Sequence, residues 1–390
     1  MNSGETPAKK NWWWWAVVAA GALVPWIVLA FQVRRYGVNL PFSDQWEFVL
    51  LVQELRADEL GIRDFFKQHN EQRMFFPRLI MMGLAVLTDW NVKAEMAVNL
   101  LLGMAIFGIT FVLLVRTLGF LRRWVAVPVV VASALLSSFV QWENWFWGWQ
   151  ISWFLPLFCL FAAVGVLTLW PRDRPAWPAI GLAAAAAFVG QYSLLSGSMI
   201  WVVCVPLLFV RKSFRMYLIP WLSAAAVATF VYLRNYRTVA GMEYMRAGVD
   251  QLIEEPGTAV GYVMYLLGRP LLNAEPQVGA GVALTVIFAV AAAYLLLFKR
   301  DQRMDALPWL ALGAYAAGAA VATMLGRLNL GVHQAGSSRY TTLGIVLTIC
   351  TLALVSLAVL PRAKLAALSA ALPGNTSRAP NLANVSGHGT

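Results

Sequence analysis

Charge is what this sequence has little of. Asp, Glu, Lys and Arg make up 13% of its 390 residues, about half the share of a soluble domain of that length. It also lacks a Walker loop, a dinucleotide-binding fingerprint and a CxxC pair, and the expected cytoplasmic loops are too short for a nucleotide-binding domain. Cysteine is scarce. Cys159, Cys204 and Cys350 each sit inside an apolar run, which suits packing and implies no disulfide framework. Short segments of alternating hydrophobicity are missing, which excludes a transmembrane β-barrel. Neither a repeat of solenoid length nor a pair of broken helices in matching halves is visible.

What is present is apolar: 60% of the residues are hydrophobic, and mean hydropathy is +0.64. These residues come in runs of about 18 or more, the length of a membrane helix. Lipid offers the backbone no hydrogen bonds, so such runs are expected to be helical. The expected fold class is therefore all-α, a polytopic transmembrane protein of about 10 spans, at most about 12. Spans are expected at 12–33, 94–115, 124–140, 151–170, 178–195, 198–210, 217–235, 279–298, 307–326 and 341–361. Residues 1–361 would form one transmembrane domain, with 34–92 as its first outer loop. Residues 362–390, rich in Ala, Ser, Asn and Gly, would be a disordered cytoplasmic tail. The first apolar run follows Lys9 and Lys10 and lacks a small-residue cleavage site, so it is expected to stay as a span.

The net charge of +11 does not point to nucleic acid. The basic residues are scattered over short loops rather than gathered on one face. They instead set orientation, because Lys and Arg in short loops favour the cytoplasm. All the basic clusters, among them Arg116/Arg122/Arg123 and Lys299/Arg300/Arg303, fall on one side only if stretches 74–90 and 257–273 do not cross. Those two stretches are therefore expected as interfacial or re-entrant helices on the outer face. Both termini would be cytoplasmic, in a bacterial inner membrane. Most acidic residues then lie outside, although orientation was set by cations alone. Arg34 and Arg35, just past the first span, run against the rule.

Three outer segments hold the candidate chemistry. In the first loop, Asp44 and Glu47 are spaced to share a helical face, in a Pro/Phe/Trp-flanked stretch where a carboxylate's pKa can be tuned. His69, Glu71 and Arg73 follow, before the apolar Phe75-Phe76-Pro77-Arg78. Glu54, Asp58, Glu59 and Asp64 suit the wet side of an amphipathic helix instead. The second segment, Gln141–Gln150, sets Glu143, Asn144 and Gln150 among four tryptophans, including Trp147. An aromatic belt at the membrane interface accounts for the rings alone. A carbohydrate-binding surface accounts for rings, carboxylate and amides together. The third runs from His333 to Arg339 and Tyr340. Arg339, with Arg269 and Arg327 at the same boundary, suits either a phosphate or plain snorkelling.

The acidic first loop with Asp44 and Glu47, the proline-bearing Phe75–Leu79 stretch and the many-span layout resemble the GT-C glycosyltransferase superfamily. That resemblance covers roughly the first 160 residues. It implies sugar transfer from a polyprenyl-phosphate-linked donor to a glycan or lipid acceptor at the bilayer, with Asp44 as catalytic base and Glu47 beside it. His69, Glu71, Arg73, Glu143, Asn144, Trp147, Gln150, Arg269, Arg339 and Tyr340 would contact substrate. Some relatives use a divalent metal, Mg or Mn, for which Asp44, Glu47, His69 and Glu71 are the candidate ligands. A transporter or flippase of a lipid-linked sugar, or a surface-glycan polymerase or ligase, is the alternative. The nearly charge-free mid-span regions argue against transport.

Overall fold

The computed structural model describes residues 12–119, 123–237, 240–272 and 277–359. The expected tail at 362–390 lies outside the described residues. The all-α expectation holds. Helices account for nearly every described element, and the one sheet pairs Gln68–His69 with Gln72–Arg73, antiparallel.

Among the described residues, seven helical segments are long and apolar enough to cross a membrane: Trp13–Tyr36, Val92–Leu118, Ala126–Phe146, Gly148–Leu169, Gln277–Phe298, Arg300–Leu330 and Ser338–Val359. Three of the ten expected spans become shorter apolar helices, at Trp177–Gln191, Leu195–Val210 and Leu218–Leu233. The middle one breaks at Cys204, where the helix Met199–Val203 gives way to Val205–Val210. Pro206 explains the break, because it has no N–H to donate and its ring crowds the carbonyl one turn back. The two ambiguous stretches are also short. Phe75–Thr88 has 14 residues and Pro256–Gly268 has 13. At 1.5 Å per residue neither reaches across a hydrocarbon core of about 30 Å.

The first helix runs further than expected, to Tyr36. Arg34 and Arg35 therefore belong to its last turn, where cations offset the negative end of the helix dipole. Trp145 ties the front of the bundle together. It stacks on Phe154 at 4.8 Å and meets Trp26 edge-on at 6.1 Å. Gly103 makes room for it, since a Cβ there would stand 2.9 Å from the Trp145 ring. Up to Ala358 the helices form one compact unit.

Candidate functional site: a cavity at one end of the bundle

The short hairpin after the first loop carries His69 and Glu71, and its anchoring is extensive. Asn70 takes a positive φ of 47° at the turn. The Arg73 guanidinium donates to the carbonyls of Phe66 (2.7 Å), Tyr232 (2.7 Å) and Arg234 (2.8 Å). Its main-chain N–H donates to the Tyr232 hydroxyl. Tyr236 donates to the Glu71 carbonyl at 2.7 Å, and the Gln72 side chain accepts from the Leu195 N–H at 2.5 Å. Arg73, expected to bind substrate, thus fastens the hairpin to the Leu218–Leu233 helix. A fork of fixed donors suits that task, and it leaves little of the guanidinium for a ligand.

Asp44 and Glu47 lie on the 3-10 turn Ser43–Glu47 and share a face, as their spacing predicts. Both meet the buried His69. Glu47 lies 2.8 Å from its Nδ1, and Asp44 lies 3.9 Å from its Nε2. The first contact is a hydrogen-bonded ion pair, the second a looser ionic one. The imidazole edge also packs on Trp149 at 5.1 Å. His69 beside Asp44 holds that carboxyl below its ordinary range, against burial that pushes it up. For His69 the largest influence is burial, which favours the neutral ring. Asp44 and Glu47 together outweigh it, and the net direction is up.

The tryptophan segment corrects the belt reading. Trp142 alone is exposed, while Trp145, Trp147 and Trp149 are buried. Glu143 and Asn144, expected to contact substrate, hold the third segment instead. Glu143 accepts from the Ser338 hydroxyl (2.7 Å) and the Arg339 N–H (3.0 Å), and its other oxygen lies 3.8 Å from the Arg339 guanidinium. Asn144, fully buried, donates to Thr342 and to the Arg339 carbonyl. Arg339 is thereby presented between the rings of Trp147 and Tyr340, 5.8 and 5.1 Å from its guanidinium carbon. Arg269 is not among the residues that line the cavity.

These segments line a cavity of about 240 Å³ that opens to solvent. Asp44, His69 and Glu71 line one side, with Trp147, Trp149 and Gln150 beside them. Arg327, Arg339 and Tyr340 stand on the wall formed by the last two long helices. A face of Ala319, Ala322 and Thr323 extends from Arg327 along its helix. The sequence thus named separate segments that fold to one cavity. It gave Arg327 only secondary standing, yet Arg327 sits inside, 2.8 Å from Glu71. Trp149, Asn70 and Gln72 were passed over within segments already singled out. The small-residue helix face carried no signal in the sequence, because its role depends on what it faces.

The four candidate metal ligands each meet other protein groups. Glu71 is bonded to Arg327, and His69 lies between two carboxylates. Among the described residues no group of three or more His, Cys, Asp or Glu is arranged to hold a metal ion. What the cavity offers is a carboxylate held ionised by an imidazole, two guanidinium groups, and aromatic and amide surface between them. No family model, curated protein or solved structure matches this chain.

Proposed function

We propose that this chain is a membrane glycosyltransferase that takes a sugar from a polyprenyl-phosphate-linked donor and delivers it to a glycan or lipid acceptor. One observation carries the reading. A single cavity brings together Asp44 and His69, Arg327, Arg339 and Tyr340, and Trp147, Trp149 and Gln150. Such a lining suits an anion, a sugar and a hydroxyl nucleophile at once.

The donor phosphate is held by the two arginines. The sugar lies against the indole faces, with Gln150 at its edge. Asp44 accepts the proton of the acceptor hydroxyl as that oxygen bonds to the anomeric carbon. The bond from that carbon to the phosphate oxygen breaks, and the negative charge left on phosphate is stabilised by the guanidinium groups. Attack from the face opposite the leaving group inverts the anomeric centre. Glu47 acts through His69, whose charge it stabilises.

The placement of the cavity on the outer face of a bacterial inner membrane rests, for its sidedness, on the helix ends. Helices ending at Gln191, Leu233 and Arg327, and those beginning at Ile151, Met199 and Thr341, bring these ends to the cavity or its hairpin. The basic Arg116, Arg172, Arg211 and Lys299 fall at the opposite helix ends, which supports a cytoplasmic side away from the cavity.

Asp44→Asn tests the reading. In membranes supplied with labelled lipid-linked sugars, this variant is expected to stay folded in detergent while transfer falls at least about 100-fold, at the low end for loss of a general base. Wild-type transfer by the variant removes Asp44 from the mechanism. Movement of lipid-linked sugar across liposomes with no covalent product replaces transferase with transporter.

A further inference from the structure

Glu95 is a carboxylate that the proposed chemistry leaves unused. It is fully buried in the first turn of the Val92–Leu118 helix, at the end of a largely apolar span. An ionisable side chain in such a place is costly, and its partners indicate what keeps it there. Its Oε2 accepts from Gln45 Nε2 at 2.5 Å. The other end of the Gln45 amide accepts from the Phe42 N–H, so this side chain braces the turn that carries Asp44. Gly148 packs on the same carboxylate, and a Cβ there would stand 2.3 Å from Glu95 Oε2 and 2.9 Å from Gln45 Nε2. Only glycine lets the Trp147–Trp149 backbone come so near.

One turn further along the same helix face stands Asn99, also fully buried. Its amide donates to the carbonyls of Asn144 (3.2 Å) and Trp147 (3.0 Å). The two loops also touch directly, Phe42 meeting Trp147 edge-on at 5.4 Å. One polar stripe on one rigid helix therefore grips both loops: that of Asp44 and that of the two tryptophans.

We propose that Glu95 is a positioning residue, holding Gln45 and the Gly148 turn so that Asp44 keeps its distance from the Trp147 and Trp149 faces across the cavity. Its functional consequence rests on the glycosyl-transfer reading above. A misplacement of about 1 Å at a reacting centre can lower turnover by about 100-fold, so a brace of this kind acts on kcat more than on KM.

An exchange of partners tests it. Gln45→Glu alone sets two carboxylates face to face in a buried place. It is expected to lower kcat by about 10- to 100-fold with little change in donor KM, and to speed amide hydrogen exchange at 42–47 and 147–150. Adding Glu95→Gln reverses the donor and acceptor and is expected to restore both readouts. A second pair, Gln45→Leu with Glu95→Leu, removes both side-chain polar groups together and leaves the N–H of the exposed Phe42 to water. It is expected to melt near the wild-type temperature yet retain the low kcat and the fast exchange of both loops. Wild-type exchange in the Leu pair, wild-type kcat in that pair, or failure of the swapped pair to recover would each overturn the proposal. If the unaltered protein transfers no sugar, the transferase reading fails by itself, and hydrogen exchange still decides the role of Glu95.

Discussion

The Arg327–Glu71 pair separates binding from folding, and its removal has a magnitude that follows from the geometry. The charges approach to 2.8 Å, with the Glu71 side chain 9% and the Arg327 side chain 24% accessible. At an effective dielectric near 20, that separation gives about 6 kcal/mol of attraction. Desolvation of both groups cancels much of it, yet removing one partner leaves the other charge buried and unpaired, at about 3 kcal/mol. Arg327→Gln should therefore lose about 3 kcal/mol of stability. Adding Glu71→Gln to it should recover most of that, because two amides can bond each other and no buried charge is left alone. Binding should not follow the same course. If Arg327 holds the donor phosphate, the double variant stays stable but binds a short-chain prenyl phosphate at least about 10-fold more weakly than the unaltered protein, as expected for a lost charge-assisted contact of about 1.4 kcal/mol or more. Thermal unfolding in detergent and titration calorimetry with that phosphate measure the two quantities. A double variant as unstable as the single one would refute the charge argument. One that binds phosphate normally would remove Arg327 from the donor site.

Two further outcomes follow from the site. His69 has a raised pKa, so its ion pairs with Glu47 and Asp44 contribute fully below about pH 6.5, its ordinary value, and are lost as pH rises through the raised one. Asp44 has a lowered pKa, so its contribution is present above its ordinary range and lost as pH falls through the depressed one. The acid limb of the pH–rate profile should accordingly lie below the ordinary carboxylate range, and His69→Gln should move it up. An unmoved limb would uncouple the two groups. Arg73→Ala leaves the carbonyls of Phe66, Tyr232 and Arg234 without their donor, so about 3 kcal/mol of thermal stability should go while donor affinity of the folded fraction stays unchanged. Arg73→Lys should rescue little, and weakened donor binding would return Arg73 to the substrate site.

Some of this was legible in the residues alone. Long apolar runs dictate helices because lipid leaves the backbone no other partner. Short cationic loops bias orientation, and the spacing of Asp44 and Glu47 already places them on one face. The segments around Asp44, Trp147 and Arg339 could each be recognised because carboxylates, amides and guanidinium groups are conspicuous in apolar sequence. Which of those groups face the cavity was decided by tertiary structure. Arg73, Glu143 and Asn144 have the same chemistry as Arg327, Asp44 and Gln150, yet the fold turns the first three to main-chain carbonyls, hydroxyls and N–H groups outside the cavity and the last three to its lining. Hydrogen-bond partners are set by distances across tens to hundreds of residues, and no local pattern encodes them. The same holds for span length, since Pro206 breaks one expected span and the first helix runs on through Arg34 and Arg35. Composition and periodicity determined that this chain is a helical membrane protein with polar chemistry at one end. The fold decided which side chains there line the cavity, because only packing determines which of them face it and which are turned to bond the protein elsewhere.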